Sequence, residues 1–151
     1  MGKYFKYSVS PTIGLAVYAD GDYDGTVMTV KTGAADTDSA KLKALTIVDN
    51  AAQKGPFNII FFSEAPTMTS ADNAALSLAD GYAANYIGHV TVAATDYVDS
   101  ALNAMACLKD INLDGLASTD VSGTIYAILE SKGTPDYVAT DDLTFTFTFE
   151  L

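Results

Sequence analysis

Few residues in this 151-residue chain have types and spacings that could do chemistry. Asp20-Gly21-Asp22-Tyr23-Asp24-Gly25 sets three carboxylates at alternate positions ahead of a glycine. That is the first half of an EF-hand calcium loop. The bidentate acid such a loop needs at its twelfth position would fall on Lys31, and the flanks have strand rather than helix patterns. Asp20, Asp22 and Asp24 therefore remain candidates only for a calcium site of another kind. The competing expectation is a solvated turn in which Asp and Gly satisfy the backbone. His89 is the one histidine, so any Ser-His-Asp or Cys-His catalyst would have to use it. No nucleophile elbow accompanies it, and a structural histidine is the simpler expectation. Cys107, inside Ala104-Met105-Ala106-Cys107-Leu108, is expected to be an inert buried thiol. His89, Cys107 and carboxylates make a poor zinc set. No P-loop, dinucleotide fingerprint or Cys-x-x-Cys occurs. The expectation is no catalytic residue and no cofactor.

The elements that would position such residues are mostly strands. Leu143 to Leu151 alternates strictly, with Leu143, Phe145, Phe147, Phe149 and Leu151 on one face and Thr144, Thr146, Thr148 and Glu150 on the other. This is the pattern of a half-buried strand. Lys41 to Thr67 holds two strands joined by a polar turn, a hairpin around which the rest is expected to fold. Its second strand, Asn58 to Phe62, is apolar on both faces. Either Ile60 and Phe62 meet a neighbouring subunit while Ile59 and Phe61 enter the core, or both faces lie inside a two-layer sandwich. Thr12 to Tyr18, Thr26 to Lys31, His89 to Ala94 and Gly123 to Glu130 also have strand character. Thr32 to Ala40, Thr95 to Asp99, Ile111 to Asp120 and Ser131 to Asp136 are expected to be loops and turns. Tyr82, Tyr86 and Ile87 sit at helical spacing, so a short helix is expected over Ala79 to Ile87, with Asp80 near its start and Gly88 ending it. Ala101 to Leu108 fits a helix or a strand. Residues 1–10 carry Tyr4, Phe5 and Tyr7 between Lys3 and Lys6, as an N-terminal arm reaching a neighbour or an edge strand would. The pattern predicts a mainly β chain: a single β-sandwich or jelly-roll-like domain over residues 11–151, with one or two short helices.

Composition narrows the function classes. Nineteen acidic residues against eight basic ones give a formal charge of −11. That argues against nucleic acid, whose phosphates need a basic face, and against an anionic membrane surface. A single cysteine excludes an internal disulfide. The first residues lack the apolar stretch of a signal peptide, and no run approaches a membrane-spanning length, so folding in a cytoplasm is expected. The absence of Trp weakens sugar stacking, although nine tyrosines keep a glycan surface possible.

Several segments together carry a resemblance: AVYADGDYDG (16–25), LKALTIVDNAAQKGPFNIIFFSEAPT (42–67), ADNAALSLADGYAANYIGHVTVAATDYV (71–98) and TIYAILESKGTPDYVATDDLTFTFTFEL (124–151). The chain resembles a family of small virion structural proteins of tailed bacteriophages. It matches at Tyr18, Asp22 and Gly25, at Phe61, Phe62 and Pro66, at Asp72 to Ala75, and at Gly133, Pro135 and Tyr137. It departs in having Glu64 where aspartate is commoner and in an early turn of greater acidity. The resemblance implies a non-enzymatic decoration or cement protein on the outer capsid surface, assembled in the bacterial host cytoplasm. It implies the major capsid protein and further copies of itself, as a homotrimer, for partners. The candidate contacts are Tyr4, Phe5, Tyr7, Ile60 and Phe62. The alternative function is a fibre or tail module binding a host-surface glycan or receptor.

Overall fold

The computed structural model describes residues 2–34, 38–119 and 122–151. Parts of the loops expected over 32–40 and 111–120, and the first residue of the expected N-terminal arm, lie outside the described residues. One sheet contains β1 (Tyr4–Val9), β3 (Ala40–Asp49), β7 (Tyr97–Asp99), β8 (Ala104–Leu108), β9 (Leu113–Leu116) and β11 (Leu143–Glu150). Its order is β1-β11-β3-β8-β7, with β9 also paired to β3. The other contains β2 (Asp22–Lys31), β4 (Phe57–Phe62), β5 (Ala74–Ala75), β6 (Tyr86–Val92) and β10 (Thr124–Ser131), in the order β5-β2-β10-β4-β6. All pairings are antiparallel. The longer strands form the quartets β1-β11-β3-β8 and β2-β10-β4-β6, which is the arrangement of an eight-stranded jelly roll. The expected mainly β sandwich is therefore the observed fold.

The core sits between the sheets and is built from period-two strands. On β11, Leu143, Phe145, Phe147 and Phe149 are fully buried, and their intervening neighbours are half-buried. The three phenylalanines stack along the strand at 6.4 and 6.3 Å. From the opposite sheet Phe61 meets Phe147 edge-on at 5.8 Å, and Phe57 meets Phe145 at 6.3 Å. Each such ring contributes roughly 1.5–3 kcal/mol through burial, and edge contacts add about 0.5–1.5 kcal/mol.

The two strands of the 41–67 stretch form as expected but are not a hairpin. β3 belongs to one sheet and β4 to the other, so residues 50–56 carry the chain across the sandwich. A local apolar pattern marks a strand without naming its partner, and here both strands find partners far away in sequence.

Both faces of β4 are covered by the chain itself. Ile59 and Phe61 enter the main core, whereas Phe62 joins Tyr23 and Ile128 in a second cluster on the outer side of the sheet. Residues 63–81 fold back over that cluster, adding Met68, Leu76 and Leu78, while β5 pairs with Asp22 and Tyr23 of β2.

Four local expectations are corrected. Thr12 to Tyr18 is not a strand: only Ile13 and Tyr18 are buried, and Leu15 and Val17 point outward. The segment hangs on two backbone bonds, Ile13 N–H to the Thr140 carbonyl (3.1 Å) and Tyr18 N–H to the Pro135 carbonyl (3.0 Å). The helix expected over 79–87 is a single 3-10 turn, Tyr82–Asn85, started by Gly81 rather than capped by Asp80. Tyr86 and Ile87 already lie in β6, with Gly88 inside that strand, because pairing with β4 overrides the local spacing. Tyr97 opens strand β7 instead of sitting in a turn, and within the loop expected over 111–120 Leu113–Leu116 forms β9, because the free edge of β3 at Ala40 and Leu42 pairs with it. Ala101 to Leu108 resolves to strand β8 from Ala104 onward, and Tyr4 to Val9 forms an edge strand paired along its length with β11.

Candidate functional site

The acidic motif is pulled apart by the start of β2. Asp20 remains exposed, 3.7 Å from Lys132. Asp22 turns back and accepts the Ala19 N–H at 2.8 Å, closing the turn before the strand. Asp24 faces the interior and is fully buried. Gly25 follows at φ +79°, a left-handed conformation that suits glycine, and a side chain there would come within 2.7 Å of the Thr12 carbonyl. The three carboxylates therefore point to solvent, to a turn and to the core, and no group of acids, histidine or cysteine suited to a metal occurs among the described residues. The solvated-turn expectation holds for Asp20 and for Asp22, which satisfies the backbone, and fails for Asp24, which strand alternation drives inward.

Asp24 is an unusual core group. Neither oxygen has a hydrogen-bond partner. Burial pushes its pKa up to about 8, and the charges of Asp72, Asp22 and Glu130 act in the same direction. The Ser131 backbone amide opposes this without forming a well-aligned bond. Beside it, Asp72 is well held: Tyr18 O–H donates to Oδ1 at 2.6 Å and Gly25 N–H at 2.5 Å. Tyr18 in turn accepts the Gly14 N–H at 2.6 Å. Burial and that bond to Asp72 raise the Tyr18 pKa. The network ties the sheet-covering segment to the chain entering β2, and it leaves no free nucleophile.

His89 is exposed, and its Nδ1 lies 2.6 Å from the Tyr86 hydroxyl. Cys107 is not buried as expected. On β8, Ala104 and Ala106 face the core, so Met105 and Cys107 face out. Small apolar residues on both strand faces gave no signal of which face was which. The contact candidates also separate. Tyr4 is 61 % exposed, whereas Phe5 and Tyr7 pack partly on the core. Ile60 is half-buried in the second cluster, and Phe62, at 1 % exposure, has no surface left for a neighbour.

Two surfaces stand out instead. The first is the end of the sandwich built from loops 10–21, 50–56, 93–103 and 132–142. Three carboxylates shape it: Asp22 as above, Asp49 accepting Ala51 N–H (3.0 Å) and Lys54 N–H (2.8 Å), and Asp142 accepting Val138 N–H (2.9 Å) and Ala139 N–H (2.8 Å). The loops are bonded to one another. Asp136 N–H reaches Gln53 at 3.1 Å, Tyr97 O–H reaches the Gly55 carbonyl at 2.9 Å, and Lys54 pairs with Asp99 at 2.7 Å. On this braced end Leu15, Val17 and Val138 are more than half exposed, and Leu102, between β7 and β8, is exposed as well. Sequence reasoning missed this group because Leu15 and Val17 were absorbed into an expected strand. The glycine and proline flanking them, Gly14 and Pro11, were the available signal.

The second surface is the outer face of the β1-β11-β3-β8-β7 sheet. Registers place Ser10, Thr144, Val48, Met105 and Val98 in one row across it. Ser8, Thr146, Thr46 and Cys107 form the next row. Hydroxyls pair within these rows, Ser8 with Thr146 at 2.7 Å and Ser10 with Thr144 at 2.9 Å. Lys6, Thr148 and Ala44 follow in a third row, and only beyond it come Glu150, Lys41 and Lys43. The first two rows carry no charged side chain, and no segment among the described residues is folded over them.

No protein-family model matches the chain, and no curated protein matches it. Solved structures similar to it include the infectious bursal disease virus VP2 subviral particle, at 8% identity and TM-score 0.44 over 99% of this chain. The chain spans 33% of that VP2 chain. Desmodium yellow mottle tymovirus aligns at 12% identity and TM-score 0.29, over 100% of this chain and 81% of its own. The full particle of Israeli acute paralysis virus aligns at 9% identity and TM-score 0.30, over 98% and 68%. Likeness at this level bears on neither function nor partners, and the jelly roll stands on its own strand order.

Proposed function

We propose that the protein is a non-enzymatic virion structural protein that decorates the outer surface of a bacteriophage capsid and cements its subunits. The observation that carries the reading is the braced loop end with Leu15, Val17 and Val138 exposed on it. Apolar side chains held outward on loops that are bonded to one another form a preorganised contact surface, and a rigid surface loses little entropy on docking. The resemblance of segments 16–25, 42–67, 71–98 and 124–151 to tailed-phage structural proteins supplies the partner, the major capsid protein. The formal charge of −11 suits a basic or cation-bridged surface and disfavours DNA and membranes. The diverging carboxylates and the exposed, tyrosine-bonded His89 offer no paired base and nucleophile. Many copies on one shell need little affinity each, since every added contact within a multivalent assembly gains from effective concentration.

The test mixes purified protein with capsids prepared without it and counts the copies retained. Stoichiometric binding that Leu15→Asp and Val138→Asp abolish, with thermal midpoints unchanged, is the expected result. Absence of capsid binding together with retention on host cells or glycans would replace this reading with the fibre or tail one.

A further inference from the structure

We propose that the outer face of the β1-β11-β3-β8-β7 sheet packs against the same face of a second copy of this chain. The two sheets differ in a way that singles this face out. The opposite sheet has part of its outer side, around Phe62, roofed by residues 63–81, with Thr29, His89 and Thr91 left exposed beyond it, whereas this one carries no such cover among the described residues.

The face also fits a second copy chemically. Two molecules of formal charge −11 repel, so they can approach closely only where neither presents carboxylates. The rows through Thr144 and Thr146 present none. Serine and threonine hydroxyls donate and accept equally well, so a hydroxyl-rich face is its own complement across a twofold axis. Short side chains let two sheets approach to the roughly 10 Å of a packed sandwich. Val48, Met105 and Val98 supply the apolar part, and Met105 and Val98 are 44% and 70% exposed in the single chain.

The area sets the strength. The three rows hold five, four and three positions, and with strands about 4.8 Å apart and rows about 6.8 Å apart they cover roughly 400 Å² per partner. A pair would bury about 800 Å² in all, below the roughly 1,000 Å² of stable specific interfaces and in the range of transient ones. The pair is therefore weak and concentration-dependent, and it forms where copies are crowded. Face-to-face packing closes with two copies, in contrast to the homotrimer that the family resemblance implies.

Analytical ultracentrifugation from micromolar to about 1 mM protein, the range such an area reaches, tests this directly. The weight-average mass should rise from one chain towards two. Thr146→Arg should hold it at one chain with an unchanged thermal midpoint, and Leu15→Asp should leave the rise intact. In parallel, thiol labelling of Cys107 should slow with concentration in the unmodified protein and not in Thr146→Arg. A mass that stays at one chain throughout, or an assembly of three copies indifferent to Thr146→Arg, overturns the proposal. A single chain that still binds capsids would remove the pair and leave the decoration role, and a pair that binds none would do the reverse.

Discussion

Replacing Asp24 by asparagine should make the protein more stable, and the gain should grow with pH. In the folded chain the buried, unpartnered carboxyl keeps its proton up to about pH 8, while a carboxyl exposed by unfolding releases it near 3.8. Between those values the folded state binds more protons than the unfolded one. A raised acid pKa therefore means that stability falls as pH climbs through this window, by about 1.4 kcal/mol per pH unit. The loss accumulated by pH 7 is about 4 kcal/mol, a large share of the roughly 5–15 kcal/mol that holds a domain together. An asparagine side chain in this place would have nearly the same shape and no charge to lose. Its amide would meet the same lack of partners as the protonated carboxyl it replaces, so the expected gain at pH 7 is the whole of that loss, about 4 kcal/mol. Near pH 4 the two proteins should be equally stable. Urea unfolding followed by far-ultraviolet circular dichroism and tyrosine fluorescence, at pH 4, 5, 6, 7 and 8, measures both profiles. Asp49, whose pKa burial also raises, should leave a residual slope in each. Parallel profiles for Asp24→Asn and the parent protein would refute the placement of a protonated acid in this core.

Two further perturbations check the framework. Phe61→Asp places a carboxylate against Phe147 with no partner and should prevent folding, and a soluble, cooperatively unfolding variant would refute the assignment of this face to the core. Removal of divalent cations with EDTA should leave the thermal midpoint where it was, because Asp20, Asp22 and Asp24 diverge, and a marked drop would show that they converge on an ion after all.

What could be read in the sequence follows from how local each cause is. The Phe145-Phe147-Phe149 alternation and the Asn58 to Phe62 run declare strands because burial on one face or both writes itself directly into side-chain order. Strand partnership is not local: nothing in residues 50–56 says that the chain crosses to the other sheet. Tyr86 and Ile87 had helical spacing that pairing with β4 overrode. Asp24 sat in a motif with the look of a solvated turn, yet β2 begins at Asp22, and two-residue alternation then turns the carboxyl inward. Cys107 misled in the opposite sense, since an alanine-rich strand can present either face. The exposed aliphatics of the loop end were hidden because apolar residues suggest burial, and only the long-range bonds of Ile13 and Tyr18 set Leu15 and Val17 outward.

The position of β11 between β1 and β3 has a consequence for biogenesis. The six pairs from Tyr4–Glu150 to Val9–Phe145 join residues more than 130 positions apart, and β3 reaches the same strand across about 100. Neither β1 nor β3 has its main partner until residue 150 has left the ribosome. Contacts so distant in sequence make for slow folding. During synthesis the apolar edges of β1 and β3 stay open, a period in which nascent chains can pair with one another or with chaperones. Expression at lower temperature or with added chaperone should therefore raise the soluble yield by shortening that exposure relative to collision.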